Sequence, residues 1–193
     1  LKHPRPVLLV TGAAGGVGSI LLQLARKLTS VTIVATASRP ETKQWVSDLG
    51  AHYVLDHSQP LVAQLQALDI NSVSHVASLT HTDQHYSELV QLLAPQGKLA
   101  LIDDPVGGID IMPLKQKSIS LHWEFMFTRA MFATPDMNAQ HLLLTDLTRL
   151  IQQGQIKTTL NQTLGKINAA NLRQAHQLLE SGSAIGKVVL AGW

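Results

Sequence analysis

Four glycines crowd the stretch Val-Thr-Gly-Ala-Ala-Gly-Gly-Val-Gly (Val10–Gly18): Gly12, Gly15, Gly16 and Gly18. The apolar run Val7–Val10 stands before them, and Ile20, Leu21, Leu24, Ala25 and Leu28 recur at helical spacing behind. A loop of this kind between strand and helix suits a phosphate. Backbone N–H groups at a helix start point at an anion with the dipole in its favour, and glycine leaves them uncovered. Gly18 also lets the helix pack closely on the strand. The plain alternative is a tight turn that holds no ligand. A Walker A loop is excluded, because no Gly-Lys-Ser/Thr follows.

If the anion is a dinucleotide, its adenosine ribose falls roughly 20 residues past the loop, at the end of the second strand. The chain has Ser38-Arg39-Pro40 there, with Lys43 one turn further. A carboxylate would hold a 2′-hydroxyl and repel a 2′-phosphate. A hydroxyl and a guanidinium would instead bind the phosphate. The expected cofactor is therefore NADP(H). Ser38-x-x-Glu41 also reads as a helix capping box with Arg39 a solvated charge, and both readings can hold together. His57, just after the third strand, borders the same pocket or sits on an exposed loop.

Leu79-Thr80 and Asp103-Asp104, after the fourth and fifth strands, should line the other half of the crevice. Adjacent carboxylates suggest acid–base work, but the sequence sets no histidine or lysine beside them. Loop solvation is the simpler reading, and the catalytic residues stay unknown. His81 and His85 have the i,i+4 spacing that can bind a metal. No third ligand is evident, so a surface reading is preferred and no metal site is assigned. His122–Phe127 concentrates Trp123, Phe125 and Phe127 and reads as core, subunit edge or a wall against a nicotinamide ring. Lys187 reads as a solvated turn.

These residues need a scaffold, and short β-branched runs alternating with amphipathic stretches supply one. The expected strands after Val7–Val10 are Val31–Ala37, Tyr53–Leu55, Val73–Ser78, Lys98–Ile102 and Ser118–Phe125. Helices Glu41–Leu49, Leu61–Leu68 and Asp83–Leu93 fall between them, with a turn at Pro95–Gly97. About six strands with helical crossovers imply an α/β fold, a Rossmann doubly wound parallel sheet with helices on both faces. Residues 1–157, including a helix at Ala139–Ile151, form this domain. Residues 158–193 change rhythm, with strand Thr158–Leu164, helix Ala169–Leu179 and strand Val188–Leu190, and read as an appendage.

Composition removes other classes. A chain of 193 residues with 45% apolar and 15% charged side chains suits one well-cored domain rather than disorder. The net charge of +2 shows no basic stripe, so no nucleic-acid partner is expected. The lack of cysteine excludes a disulfide scaffold, a Cys-ligated zinc, an iron–sulfur cluster and a cysteine nucleophile. No apolar run approaches a membrane span and no secretory leader is recognised, which makes a cytoplasmic location the expectation. The first residue is Leu1, so the chain reads as a piece of something longer.

A short-chain dehydrogenase also carries Thr-Gly-x-x-x-Gly-x-Gly, as at Thr11–Gly18, but needs a Tyr-x-x-x-Lys. Tyr53 is followed four residues on by His57 and Tyr86 by Val90, so neither fits. The chain instead resembles the cofactor domain of the medium-chain dehydrogenase/reductase superfamily, in its quinone oxidoreductase-like or zinc-type alcohol dehydrogenase-like branch. The supporting stretches are Val10–Gly18, Ala35–Thr42, Leu49–His57, Pro95–Lys98, Leu121–Arg129 and Gly186–Leu190, which run nearly end to end.

The resemblance implies NADPH-dependent hydride transfer to a quinone, enone or aldehyde. It implies that Ala14, Gly15, Gly16 and Val17 hold the pyrophosphate. Ser38, Arg39 and Lys43 would take the 2′-phosphate, and Thr80 with Phe125, Met126 and Phe127 the nicotinamide side. Many relatives carry Tyr where His57 stands. A preceding GroES-like domain, which the closing segment after about Thr158 rejoins, would carry the substrate pocket and any zinc. Family members commonly form a homodimer through the sixth strand. The competing function is an NADPH-binding sensor that never turns over.

Overall fold

The computed structural model describes residues 5–193, so the first four positions of the expected 1–157 domain lie outside the described residues. Strand β1 (Val7–Thr11), helix α1 (Gly16–Leu28), β2 (Thr32–Thr36), α2 (Pro40–Asp48), β3 (Tyr53–Leu55), α3 (Leu61–Gln66), β4 (Val73–Ser78), α4 (Thr82–Leu92) and β5 (Leu93–Leu101) alternate along the chain. A short helix α5 (Met112–Lys115) leads into β6 (Ser120–Trp123). The six strands pair in parallel in the order β3-β2-β1-β4-β5-β6. The order reverses between β1 and β4, which opens a crevice at the carboxyl ends of the strands.

Successive strand residues point to opposite faces, and this splits the core in two. Leu9, Val34 and Val76 turn toward α3 and α4, where Leu61, Leu65 and Leu89 meet them. Val10, Ile33, Ala35 and Ala77 turn the other way, against Leu22 and Ala25 of α1 and Val46 of α2. Burial on both faces is why the central strands are continuous apolar runs. Each large side chain so buried contributes roughly 1.5–3 kcal/mol.

Two expected boundaries are corrected. The turn at Pro95–Gly97 lies inside β5 rather than before it. Val73 pairs with Leu93, but His75 pairs with Lys98, so the intervening residues bulge out. Gln96 takes φ +62° and donates its N–H to the Lys117 carbonyl at 2.7 Å. The Lys117 ammonium in turn donates to the carbonyls of Val90, Gln91 and Leu93, at the end of α4 and the start of β5. The sixth strand is shorter than expected. Ser118 stands at φ +51° before it, and beyond Trp123 the chain turns into helix α6 (Thr128–Met131).

Helix α7 (Ala139–Gln152) follows, then β7 (Leu160–Thr163), α8 (Ala169–Glu180) and β8 (Lys187–Val189). β7 and β8 pair with each other in a separate parallel sheet. This closing segment is stitched to the main sheet. The buried Gln23 amide on α1 donates to the Lys157 carbonyl (3.1 Å) and accepts from the Lys157 N–H (2.7 Å). The Gly186 N–H donates to the Ala14 carbonyl at 2.8 Å, directly on the glycine loop. By contrast, α7 buries none of its residues, and Leu142, Leu143 and Leu144 are each more than half exposed. No described helix is long and apolar enough to cross a membrane.

Candidate functional site

The glycine loop leaves β1 at the mouth of the crevice. Gly12 takes φ +64°, and a Cβ there would stand 2.7 Å from Thr80 Cγ2. Glycine meets both demands, a left-handed backbone and close contact with the loop after β4. Gly15 then sits in extended conformation as the N-cap of α1 with no side-chain cap, and no acidic residue occupies the first turn. The N–H groups of that turn and the positive end of its dipole are therefore left for an external anion.

A cleft of about 270 Å³ opens from this loop. Ser38 and Arg39 at the end of β2 form one wall, and His57 after β3 another. Thr80, His81 and His85 face them from the β4–α4 junction, while Gly182 and Ala184 of the closing segment cover one side. Among the described residues that line it, none is a carboxylate.

The acids nearby are engaged elsewhere. Asp56 accepts from Ser58 Oγ at 2.6 Å and from the Lys43 ammonium at 3.0 Å. Those bonds, Ser58 first and Lys43 next, push its carboxyl down to about 2. Glu41 lies 3.5 Å from the Arg39 guanidinium. Asp103 Oδ2 accepts the Thr82 N–H at 2.9 Å, and Oδ1 accepts the Thr82 hydroxyl in a close bond. Thr82 bonds onward to Ser78 at 2.7 Å and Ser78 to Thr11 at 3.3 Å, a buried chain of hydroxyls that fixes β1, β4 and α4 behind the cleft.

Of the residues expected at a cofactor, Gly12, Ala14, Gly15, Ser38, Arg39, His57 and Thr80 line this cleft. Gly16 and Val17 stand beside it in the first turn of α1. Six further expected residues lie outside the lining. Lys43 is spent on Asp56, and Asp103 serves the start of α4. Phe125 and Phe127 pack edge-on against each other with ring centres 5.4 Å apart, and with Met126 they stay more than half exposed past the end of β6. Asp104, named with Asp103, is also absent from the lining. The capping-box reading is corrected too. Arg39, not Ser38, is the N-cap of α2, Pro40 takes the first helical position, and no side chain caps. The Arg39 guanidinium reaches across to the Ser183 carbonyl at 2.9 Å.

Other residues reach the site that sequence reasoning set aside. A Cβ on Gly16 would lie 2.9 Å from Lys187 Nζ, so this ammonium rests over the first turn of α1. The only sequence signal was its place after Gly186 at the last strand, and nothing local linked that to the glycine loop. His81 and His85, considered as metal ligands or surface residues, both line the cleft. His81 stands at φ +52°, a backbone state that histidine tolerates better than most residues. Burial against the cleft pushes the His57 imidazole down, helped by neighbouring His85, His81 and Arg39 and opposed by Asp56. Among the described residues, no three His, Cys, Asp or Glu side chains gather to hold a metal ion.

The chain matches the zinc-binding dehydrogenase family over residues 49–190. It is 40% identical over 186 residues to a zinc-type alcohol dehydrogenase-like protein of Staphylococcus aureus, covering 96% of this chain and 55% of that one. An NAD-dependent alcohol dehydrogenase of Saccharolobus solfataricus is 29% identical over 192 residues, covering 97% and 51%. The chain thus spans about half the length of the curated relatives it matches. Among solved structures, a candidate zinc-dependent alcohol dehydrogenase from Rhizobium etli superposes with a TM-score of 0.94 at 54% identity, over 100% of this chain and 56% of that one. A mycobacterial protein complexed with NADPH superposes at 0.78 with 28% identity, over 97% and 57%. The chain belongs to the zinc-binding dehydrogenase family, an oxidoreductase branch of the medium-chain dehydrogenase/reductase superfamily, and carries its Rossmann sheet and glycine loop.

Proposed function

We propose that the cleft binds NADP(H), and that the protein to which it belongs transfers hydride to a quinone, enone or aldehyde. The observation that carries this reading is the charge of the cleft. Arg39 and Ser38 stand where a 2′-hydroxyl reader would place an acid, and no carboxylate is among the described lining residues. The uncapped first turn of α1, with the Lys187 ammonium over it, suits a pyrophosphate. Arg39 and Ser38 would take the 2′-phosphate, and Thr80 would flank the nicotinamide half. The bound nicotinamide supplies the hydride; this chain binds and orients it. The NADPH complex of the mycobacterial relative supports the assignment. The archaeal relative is named NAD-dependent, which makes NAD(H) the competitor.

Among the described residues, no cluster of His, Cys, Asp and Glu side chains suits zinc. We take residues 1–157 as the nucleotide domain and 158–193 as a segment that completes a substrate-bearing domain of the longer protein. The protein acts in the cytoplasm as a homodimer. Equilibrium binding of NADP+ and NAD+, followed by NADPH oxidation by the full-length protein against a quinone, enone and aldehyde panel, tests the proposal. Preferred NADP+ binding with turnover supports it. Binding without turnover on any acceptor points to an NADPH sensor, and no binding refutes both.

A further inference from the structure

Three histidines meet at the cleft from two separate parts of the chain. His57 follows β3; His81 immediately precedes α4, and His85 lies within its first turns. All three line the cavity, and the His57 and His85 rings stand edge-on with centres 6.3 Å apart. Thr80 Oγ1 holds His81 Nδ1 at 2.9 Å. We propose that His57, His81 and His85 form a proton-accepting wall, so that binding an anionic dinucleotide draws protons onto the protein and tightens as pH falls.

The charges around this wall support that behaviour. Arg39 from α2 faces the same cavity. Asp56, beside His57, is the nearest acid, but its oxygens are held by Ser58 and Lys43. On α4, Asp83 turns to the Gln84 N–H and Glu88 to the Val62 N–H. Asp103, behind α4, is taken by Thr82. Burial first, and then the neighbouring His85, His81 and Arg39, hold the His57 imidazole below its ordinary value, with Asp56 opposing them. An anion acts in the opposite sense, raises the imidazole pKa values and couples binding to proton uptake. This inference rests on the dinucleotide reading above and assigns part of its affinity to groups that reading leaves unused.

The test compares NAD+ with NADP+. The pyrophosphate of NAD+ does not titrate near neutrality, so its pH dependence reports protein protons alone. The 2′-phosphate of NADP+ loses charge around its second pKa near 6, which opposes the effect. Calorimetric titration of NAD+ in buffers of different ionisation enthalpy should show net proton uptake, with affinity rising about threefold to tenfold from roughly pH 8 to pH 6. In a combined His57→Phe, His81→Asn and His85→Phe variant, the NAD+ binding that remains should be flat with pH and take up no proton. Asn is chosen at position 81 because it tolerates the left-handed backbone. Should that variant fold poorly, NMR titration of the wild-type imidazoles decides: NAD+ must raise the His57 and His85 pKa values and leave His75 on β4 unmoved. Binding that is flat with pH and takes up no proton overturns the histidine assignment alone. Failure of both nucleotides to bind at any pH overturns the dinucleotide reading with it.

Discussion

Arg39→Ala should separate the two cofactors. A charge-assisted hydrogen bond to a phosphate contributes roughly 1.5–3 kcal/mol, which is about 10- to 150-fold in affinity. The surroundings of Arg39 argue for the low end. Its side chain is 38% exposed, one arm already serves the Ser183 carbonyl, and Glu41 sits 3.5 Å from Nε. Solvent screening at that exposure trims the gain. The expected loss is about tenfold for NADP+. NAD+ lacks the 2′-phosphate, so it registers only the freed Ser183 loop, a small change common to both ligands. The ratio of the two affinities therefore isolates the phosphate contact. Calorimetric titration of wild type and variant, at low and moderate salt, measures it, and the NADP+ preference should shrink with salt. Equal affinities in wild type, or equal losses in the variant, would refute the reading of the second-strand end.

Further outcomes follow from other contacts. Lys187→Met should weaken NADP+ and NAD+ alike, by about threefold to tenfold for a partly screened phosphate contact, leaving their ratio unchanged in the same titration. Gly12→Ala adds a side chain at φ +64° and 2.7 Å from Thr80 Cγ2, and should cost about 1–3 kcal/mol in urea unfolding. A Thr80→Ser background should recover part of that. Ser58→Ala and Lys43→Met should each raise the Asp56 pKa from about 2 toward the ordinary 3.8, read by carboxyl NMR titration. Because the folded value is depressed, the stabilisation from Asp56 is present above 3.8 and lost as pH falls through about 2. The β6 edge, with Trp123 54% exposed, should pair with a second copy, so light scattering should give dimer; monomer alone at high concentration would contradict it.

The sheet was legible because its signals are local. Val7–Val10, the glycine run and the apolar period behind it dictate strand, loop and helix without distant help. Strand order then follows from the crossovers, and the order places the ends of β2 and β4 at one crevice. What escaped depended on contacts between remote residues. Lys187 is a surface lysine by any local rule, and only the docking of Gly186 on Ala14 brings it over α1. Pro95–Gly97 carries a turn's composition, yet the pairing of Leu93 with Val73 keeps it inside a strand as a bulge. Ser38 had the right spacing to Glu41 for a capping box, but Pro40 starts the helix one residue later and leaves that hydroxyl at the cleft. Asp103 looked available because the hydroxyl chain that binds it is assembled from three separate strands or helices.

Amide chemical-shift mapping of the chain on addition of NADP+ tests the assigned cleft most directly. Binding there should shift the amides of Gly12–Val17, Ser38, Arg39, His57, Thr80 and the 182–187 segment together, saturating with one affinity, while α7 and β6 stay unmoved. Shifts confined to α7 or the loop past β6, or no saturable shift at the glycine loop, would contradict it.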